Sequence, residues 1–263
     1  MTAPLCIAGA YDDGRPDTFS QIVGNRAVVR KLTGMASRNR LPNVIFLTGP
    51  TGSGKTTMAR ILARAKLCIN RQLGQYEPCG TCANCRMPLN DSTCVVCDYA
   101  EYDANAITPD RLRDFSLEFL HEDTIIFIDE LQDLDPQLLK RLRKMLEGVR
   151  CTLILTTSHP DEIEDAFRNR LKSYEFEMTR PQPDEVVGFL AERFESLGVT
   201  YDSEAQLYRV AEGLNCEMRP CGQFPMRVLS ETGGQLQDEY LDELFGQRSQ
   251  ATPVVGSQRR RVI

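Results

Sequence analysis

Residues Gly49-Pro50-Thr51-Gly52-Ser53-Gly54-Lys55-Thr56-Thr57 fit the spacing G-x-x-x-x-G-K-[ST], from Gly49 to Thr56. The chemistry this spacing serves is phosphate binding. Glycines at 49, 52 and 54 let the backbone curl with its N–H groups pointing inward, and a following helix N-terminus adds partial positive charge. Lys55 then reaches the β- and γ-phosphates, and the Thr56 hydroxyl ligates Mg²⁺. The flanks agree: Val44-Ile45-Phe46-Leu47 precedes the loop, and the amphipathic run Met58–Ala63 follows it. Strand, loop and helix in that order separate a phosphate loop from a chance glycine-rich turn. The implied ligand is a nucleoside triphosphate.

A second motif supports the first. Thr124-Ile125-Ile126-Phe127-Ile128 ends in Asp129-Glu130, two carboxylates at the C-terminal end of a buried strand. In an α/β sheet that edge lies beside the phosphate loop. Asp129 suits Mg²⁺, and Glu130 suits a water-polarising base.

Metal chemistry is implied elsewhere. Cys68 precedes Cys79-Gly80-Thr81-Cys82-Ala83-Asn84-Cys85, and four thiolates so spaced can surround a tetrahedral Zn²⁺. An iron–sulfur cluster is the alternative, because C-x2-C-x2-C also occurs there. Cys94 and Cys97 form a further pair. They read as buried apolar cysteines, with a second half-site or stand-in ligands as the other readings.

The chain that must position these groups has 263 residues, 41% of them hydrophobic, and a formal charge of −6. That charge argues against wholesale electrostatic binding of nucleic acid, so any DNA contact needs a local basic patch. No apolar run approaches ~18 residues, so no membrane span is expected. No secretory signal is recognisable, which gives a cytoplasmic expectation. Clustered cysteines there point to metal rather than disulfides.

Periodicity predicts helices near 27–37, 55–67, 108–120 and 137–148, and strands at 43–48, 99–102, 124–130, 152–157 and 173–176. Alternating strands and helices imply an α/β parallel sheet flanked by helices. The organisation read from this is a nucleotide-binding domain over 1–180, with a Cys-rich module inserted at 68–97. After Pro181-Gln182-Pro183 come helices at 183–197, 203–213 and 225–232 without strands, read as a small all-helical lid over 181–246. Residues 247–263 read as a flexible basic tail.

In this order the motifs resemble the AAA+ ATPases of clamp loaders, and among them the gamma/tau subunits of bacterial DNA polymerase III. The segment Arg15–Gly24 is similar to the family's adenine-side segment, and the Cys module sits where that family carries its zinc. Leu155-Thr156-Thr157-Ser158-His159-Pro160 resembles the sensor-1 strand, with Thr157 near the γ-phosphate. Phe167-Arg168-Asn169-Arg170-Leu171 resembles the segment whose arginine, here Arg170, acts on ATP held by a neighbouring subunit. Met226-Arg227 resembles sensor 2, with Arg227 contacting phosphate in cis. Asn169 and Leu171 depart from the usual flanks of the trans arginine, and Leu131-Gln132 departs after the carboxylates. A collar domain of the gamma/tau type is not expected within these 263 residues.

The resemblance implies an ATPase using ATP, Mg²⁺ and Zn²⁺. Its partners would be other AAA+ subunits in a ring or spiral, primer-template DNA and a sliding clamp, in replication. Candidate DNA-facing side chains are Arg111, Arg113, Lys140, Arg141, Arg143 and Lys144, with a solvated face as the plain alternative. The runner-up function is a AAA+ regulator or loader that oligomerises on DNA and recruits a partner, as in helicase loading, transposition or phage and plasmid systems. An inactive binding subunit is a third reading.

Overall fold

A computed structural model describes residues 15–38, 40–72, 74–86, 99–119 and 121–246. A 3-10 turn at Phe19–Gln21 leads into α1 (Arg26–Ser37), β1 (Val44–Thr48) and α2 (Lys55–Leu67). The short α3 (Ala83–Arg86) follows, then β2 (Tyr99–Asp103), α4 (Pro109–Glu118), β3 (Ile125–Asp129) and α5 (Pro136–Met145). β4 (Thr152–Thr157), α6 (Asp165–Leu171) and β5 (Glu175–Glu177) complete this part. The sheet is parallel throughout, in the order β2-β3-β4-β1-β5.

Side-chain alternation explains the two helical layers. Phe46, Ile126, Ile128, Leu153 and Leu155 point to one face and pack on Phe115, Leu138, Leu142 and Phe167 of α4, α5 and α6. Ile45, Leu47, Ile125, Phe127 and Ile154 point to the other and pack on Leu32 of α1 and Met58, Ile61 and Leu62 of α2. Each large apolar side chain so buried contributes about 1.5–3 kcal/mol. Both faces being covered is why the central strands read as continuous apolar runs.

Register then places the chemistry. Thr48 lies beside Thr157, and Ile128 beside Leu155. The phosphate loop, Asp129-Glu130 and Thr156–Ser158 therefore leave the sheet along one edge.

Residues 183–245 build a separate apolar core from α7 (Pro183–Ser196), α8 (Glu204–Gly213), α9 (Met218–Thr232) and α10 (Asp238–Phe245). Three features differ from the sequence expectation. β6 (Thr200–Tyr201) and β7 (Gln235–Leu236) pair in parallel, so the lid region is not all-helical. α10 is an additional helix. α9 begins at Met218 rather than 225, with Pro225 inside it. Pro225 removes one backbone donor, yet Cys221, Phe224 and Val228 of the same helix are buried in this core and hold it. Proline at 225 therefore marks a helix interior here, not a helix start.

Candidate nucleotide and metal sites

The loop between β1 and α2 takes its shape from glycine. Gly49, Gly52 and Gly54 all have positive φ, at 137°, 80° and 93°. A Cβ on Gly49 would lie 2.0 Å from the Met178 carbonyl oxygen, and one on Gly52 2.9 Å from Glu217 Cγ. Larger side chains are excluded at both. Gly54 caps α2 with no acidic residue in the first turn, while Arg64 and Lys66 occupy the last turn. The helix N-terminus keeps its positive potential for an anion.

Lys55 is 5% exposed and folds back on its own loop. Its ammonium donates to the carbonyls of Gly49 (2.8 Å) and Pro50 (3.1 Å) and to Ser158 Oγ (2.9 Å). Burial pulls its pKa down, and the charges of Glu130 and Asp129 offset only part of that. Ser53 Oγ is buried with no hydrogen-bond partner among the described residues. A phosphate oxygen would satisfy that hydroxyl and would replace a loop carbonyl at Lys55, so the loop fits a phosphorylated ligand.

Thr56 Oγ1 donates to Asp129 Oδ2 at 2.9 Å. The other carboxylate oxygen accepts from Thr156 Oγ1. Burial pushes the Asp129 carboxyl up, against hydrogen bonds from Thr156 and Thr56 that lower it. A hydroxyl and a half-buried carboxylate meeting at a phosphate loop form an all-oxygen donor pair, which suits Mg²⁺.

Glu130 has φ 52°, an uncommon backbone for this residue. Oε2 accepts from Gln132 Nε2 (2.9 Å) and Oε1 from Ser158 Oγ (3.1 Å). Burial raises its pKa, but the bonds from Gln132 and Ser158 and the charge of Lys55 outweigh it, and Glu130 stays below the usual range. Gln132 Oε1 in turn accepts from Thr157 Oγ1 (2.6 Å) and Ser158 N (3.3 Å). The fully buried Thr157 thus spends its hydroxyl on Gln132. Ser158, one residue on, is the group joined to both Lys55 and Glu130.

Above the loop lies a cavity of about 200 Å³. Arg15, Pro16, Ile22 and Val23 form one wall, Glu130 lies at the back, and Glu217–Pro220 form the roof. The roof is tied down. Met218 N–H donates to Gly52 O (3.4 Å), and Arg180 bonds both Thr51 O (3.2 Å) and Glu217 Oε1 (2.8 Å).

Arg227 does not line this cavity. It pairs with Glu231 at 2.9 Å and its side chain is 49% exposed. The arginine in the roof is Arg219, exposed and without an ion-pair partner among the described residues. It precedes Arg227 by eight residues, about 12 Å along a helix. The missed signal was Met218-Arg219-Pro220, where proline stands in a first helical turn.

Arg170 lies on α6, away from this cavity, bonded to Glu147 at 3.0 Å with its side chain 37% exposed. On α5, Lys140, Arg141 and Lys144 are exposed and have no ion pair among the described residues. Arg143 pairs with Glu164, Arg111 with Glu118, and Arg113 with Asp110.

The ligand atoms of Cys68, Cys79, Cys82 and Cys85 all lie within 4.8 Å of one another. Zn–S bonds of ~2.3 Å in a tetrahedron set sulfurs ~3.8 Å apart, and Cys79 Sγ lies 3.9 Å from Cys85 Sγ. Backbone N–H groups of Cys79, Cys82 and Cys85 donate to Sγ of Cys68, Cys79 and Cys82 at 3.5, 3.3 and 3.4 Å. Hydrogen bonds led by Thr81 draw Cys79 down to about 5, while burial pushes Cys85 up to about 12. These residues fit a zinc ion. Cys94 and Cys97 lie outside the described residues.

The fold and the site define a AAA+ nucleotide-binding protein. A solved structure of the Holliday junction branch migration motor RuvB from Thermotoga maritima has the same fold, with a TM-score of 0.64 at 15% identity over 88% of this chain and 72% of that one. The family model for the DNA polymerase III delta subunit matches residues 24–180, and the chain belongs to that family. It is 28% identical over 209 residues to the DNA polymerase III subunit gamma/tau of Mycoplasma pneumoniae, covering 77% of this chain and 30% of that protein. It is 29% identical over 178 residues to the DNA polymerase III subunit tau of Bacillus subtilis, covering 64% and 30%. The chain thus spans under a third of the length of these relatives. Among the described residues no helix is long and apolar enough to cross a membrane.

Proposed function

We propose that this chain is an ATP-binding and ATP-hydrolysing AAA+ subunit of a clamp-loader-like assembly that acts on DNA in replication. The observation that carries this is the bonded series Lys55–Ser158–Glu130, beside Thr56–Asp129, beneath one cavity. Family membership and the gamma/tau relatives support the assembly and its DNA.

In this reading Lys55 exchanges the Gly49 and Pro50 carbonyls for phosphate oxygens, and residues 49–57 wrap the phosphates. Thr56 and Asp129 hold Mg²⁺, which when bound offsets phosphate charge. Glu130 orients a water and accepts its proton as the water oxygen bonds to the γ-phosphorus. The bond from that phosphorus to the β–γ bridging oxygen breaks, giving ADP and phosphate. Ser158 reports the γ-phosphate to Glu130, with Thr157 acting through Gln132. Arg219 contacts phosphate in cis, and Arg170 of a neighbouring subunit completes the site in trans. Residues 1–180 form the nucleotide-binding domain and 181–246 the lid, while the tail expected at 247–263 lies outside the described residues. Cys68, Cys79, Cys82 and Cys85 hold Zn²⁺ in the inserted module. Lys140, Arg141 and Lys144 meet the DNA backbone, positioning without reading sequence.

The test is assembly: protein with a non-hydrolysable ATP analogue and primed DNA, followed by sedimentation and imaging, with Arg170→Ala alongside. Nucleotide-dependent closed or spiral assemblies that bind a sliding clamp support the proposal. Assembly on DNA without any clamp binding would favour a AAA+ regulator or loader instead.

A further inference from the structure

The Cys module touches the nucleotide-binding part at the 3-10 turn Phe19–Gln21. The 3-10 turn Phe19–Gln21 begins with free backbone N–H groups, as every helical turn does. Those of Phe19 and Ser20 both donate to one carboxylate, Glu77, at 2.8 and 2.9 Å. Glu77 is 58 and 57 residues away in sequence and lies on the module loop, two residues before Cys79. Pro78, between them, is buried. The neighbouring Tyr76 ring lies 6.4 Å from the Phe19 ring. Ile22 and Val23, three and four residues beyond Phe19, belong to a wall of the nucleotide cavity.

We propose that Glu77 is a positioning residue through which the metal-holding cysteine module sets the Ile22 and Val23 wall of the nucleotide cavity. The inference rests on that cavity being a nucleotide site. Metal at the four sulfurs fixes Cys79 and, through Pro78, the Glu77 backbone. Glu77 then fixes the Phe19 turn with two charge-assisted hydrogen bonds, and the turn sets Ile22 and Val23. Metal loading and nucleotide affinity are thereby coupled with no shared ligand.

The test uses the full chain in four forms: wild type, Glu77→Ala, Glu77→Gln, and wild type stripped of metal by a chelator. Metal content, hydrogen exchange of the Phe19 and Ser20 amides, and affinity for a fluorescent non-hydrolysable ATP analogue are measured on each. Glu77→Ala is expected to keep its metal, exchange those two amides about tenfold faster and bind nucleotide about tenfold more weakly. Glu77→Gln, with one amide oxygen left to accept, falls between. Stripped wild type matches Glu77→Ala at the two amides, and stripping Glu77→Ala adds nothing there. If metal-loaded Glu77→Ala shows unchanged exchange, or unchanged nucleotide affinity, the proposal is overturned. Wild type that shows the exchange response yet binds no nucleotide sinks the reading of the cavity itself, and the positioning role with it.

Discussion

Thr56 and Asp129 meet at 2.9 Å although 73 residues separate them. One lies in the first turn of α2 and the other closes β3, and the parallel register brings them together at the sheet edge. Replacing Thr56 by Val removes the hydroxyl and keeps the shape. Mg²⁺-dependent ATP turnover is expected to fall at least about tenfold, the loss of one charge-assisted contact. Nucleotide binding in EDTA should stay at the wild-type level. A magnesium titration of turnover, with calorimetry in EDTA, checks both halves.

Lys55 carries separable expectations for binding and stability. Lys55→Met loses the phosphate contact, so nucleotide affinity should drop by roughly 10- to 100-fold. The free protein should melt lower, since Gly49 O, Pro50 O and Ser158 Oγ lose a donor and Glu130 loses a nearby positive charge. Thermal melts with and without nucleotide separate the effects: the unliganded midpoint falls, and the ligand-induced rise disappears.

Glu130 is held below the usual carboxylate range by Gln132, Ser158 and Lys55 acting against burial. A depressed folded-state pKa adds stability above the unfolded value, and that stability is lost as pH falls through the folded one. The same group must be ionised to accept a proton. The acid limb of kcat/KM should therefore lie below the ordinary glutamate range. Gln132→Ala should move that limb upward with little change in KM. Glu130→Gln should lower turnover by about 10²–10⁴-fold while still binding ATP. An acid limb unmoved by Gln132→Ala would show that Gln132 does not tune Glu130.

Arg219 and Arg227 provide a direct contrast. Arg219→Ala should weaken nucleotide binding by about tenfold or more, because Arg219 lines the cavity. Arg227→Ala removes an exposed i,i+4 pair with Glu231 and should change affinity and stability within about 0.5 kcal/mol. Binding titrations on both variants read this out.

The four thiolates are expected to hold about one zinc per chain, and chelation should lower the melting temperature. A folded protein without metal, at unchanged melting temperature, would contradict this.

Some of this was legible in the sequence because the physics is local. Gly49, Gly52 and Gly54 are dictated by backbone geometry, Asp129-Glu130 by a buried strand ending, and the cysteine set by ligand spacing. The sheet followed from apolar runs alternating with amphipathic ones. What escaped depended on packing. Pro225 looks like a helix start and is a buried interior residue of α9, which hid Arg219. Thr157 and Ser158 are adjacent hydroxyls, and only the direction of each side chain separates them. β6 and β7 have two residues each, too short for a period. Glu77 meets Phe19 and Ser20 through chain folding that no spacing encodes.

The most direct test of the account is single-turnover hydrolysis of radiolabelled ATP by wild type and Glu130→Gln, with nucleotide binding measured on the same samples. The expected result is binding by both and phosphate release by wild type alone. Failure of wild type to bind ATP, or equal phosphate release by the two, would contradict the assignment of this edge of the sheet as an ATP-hydrolysing site.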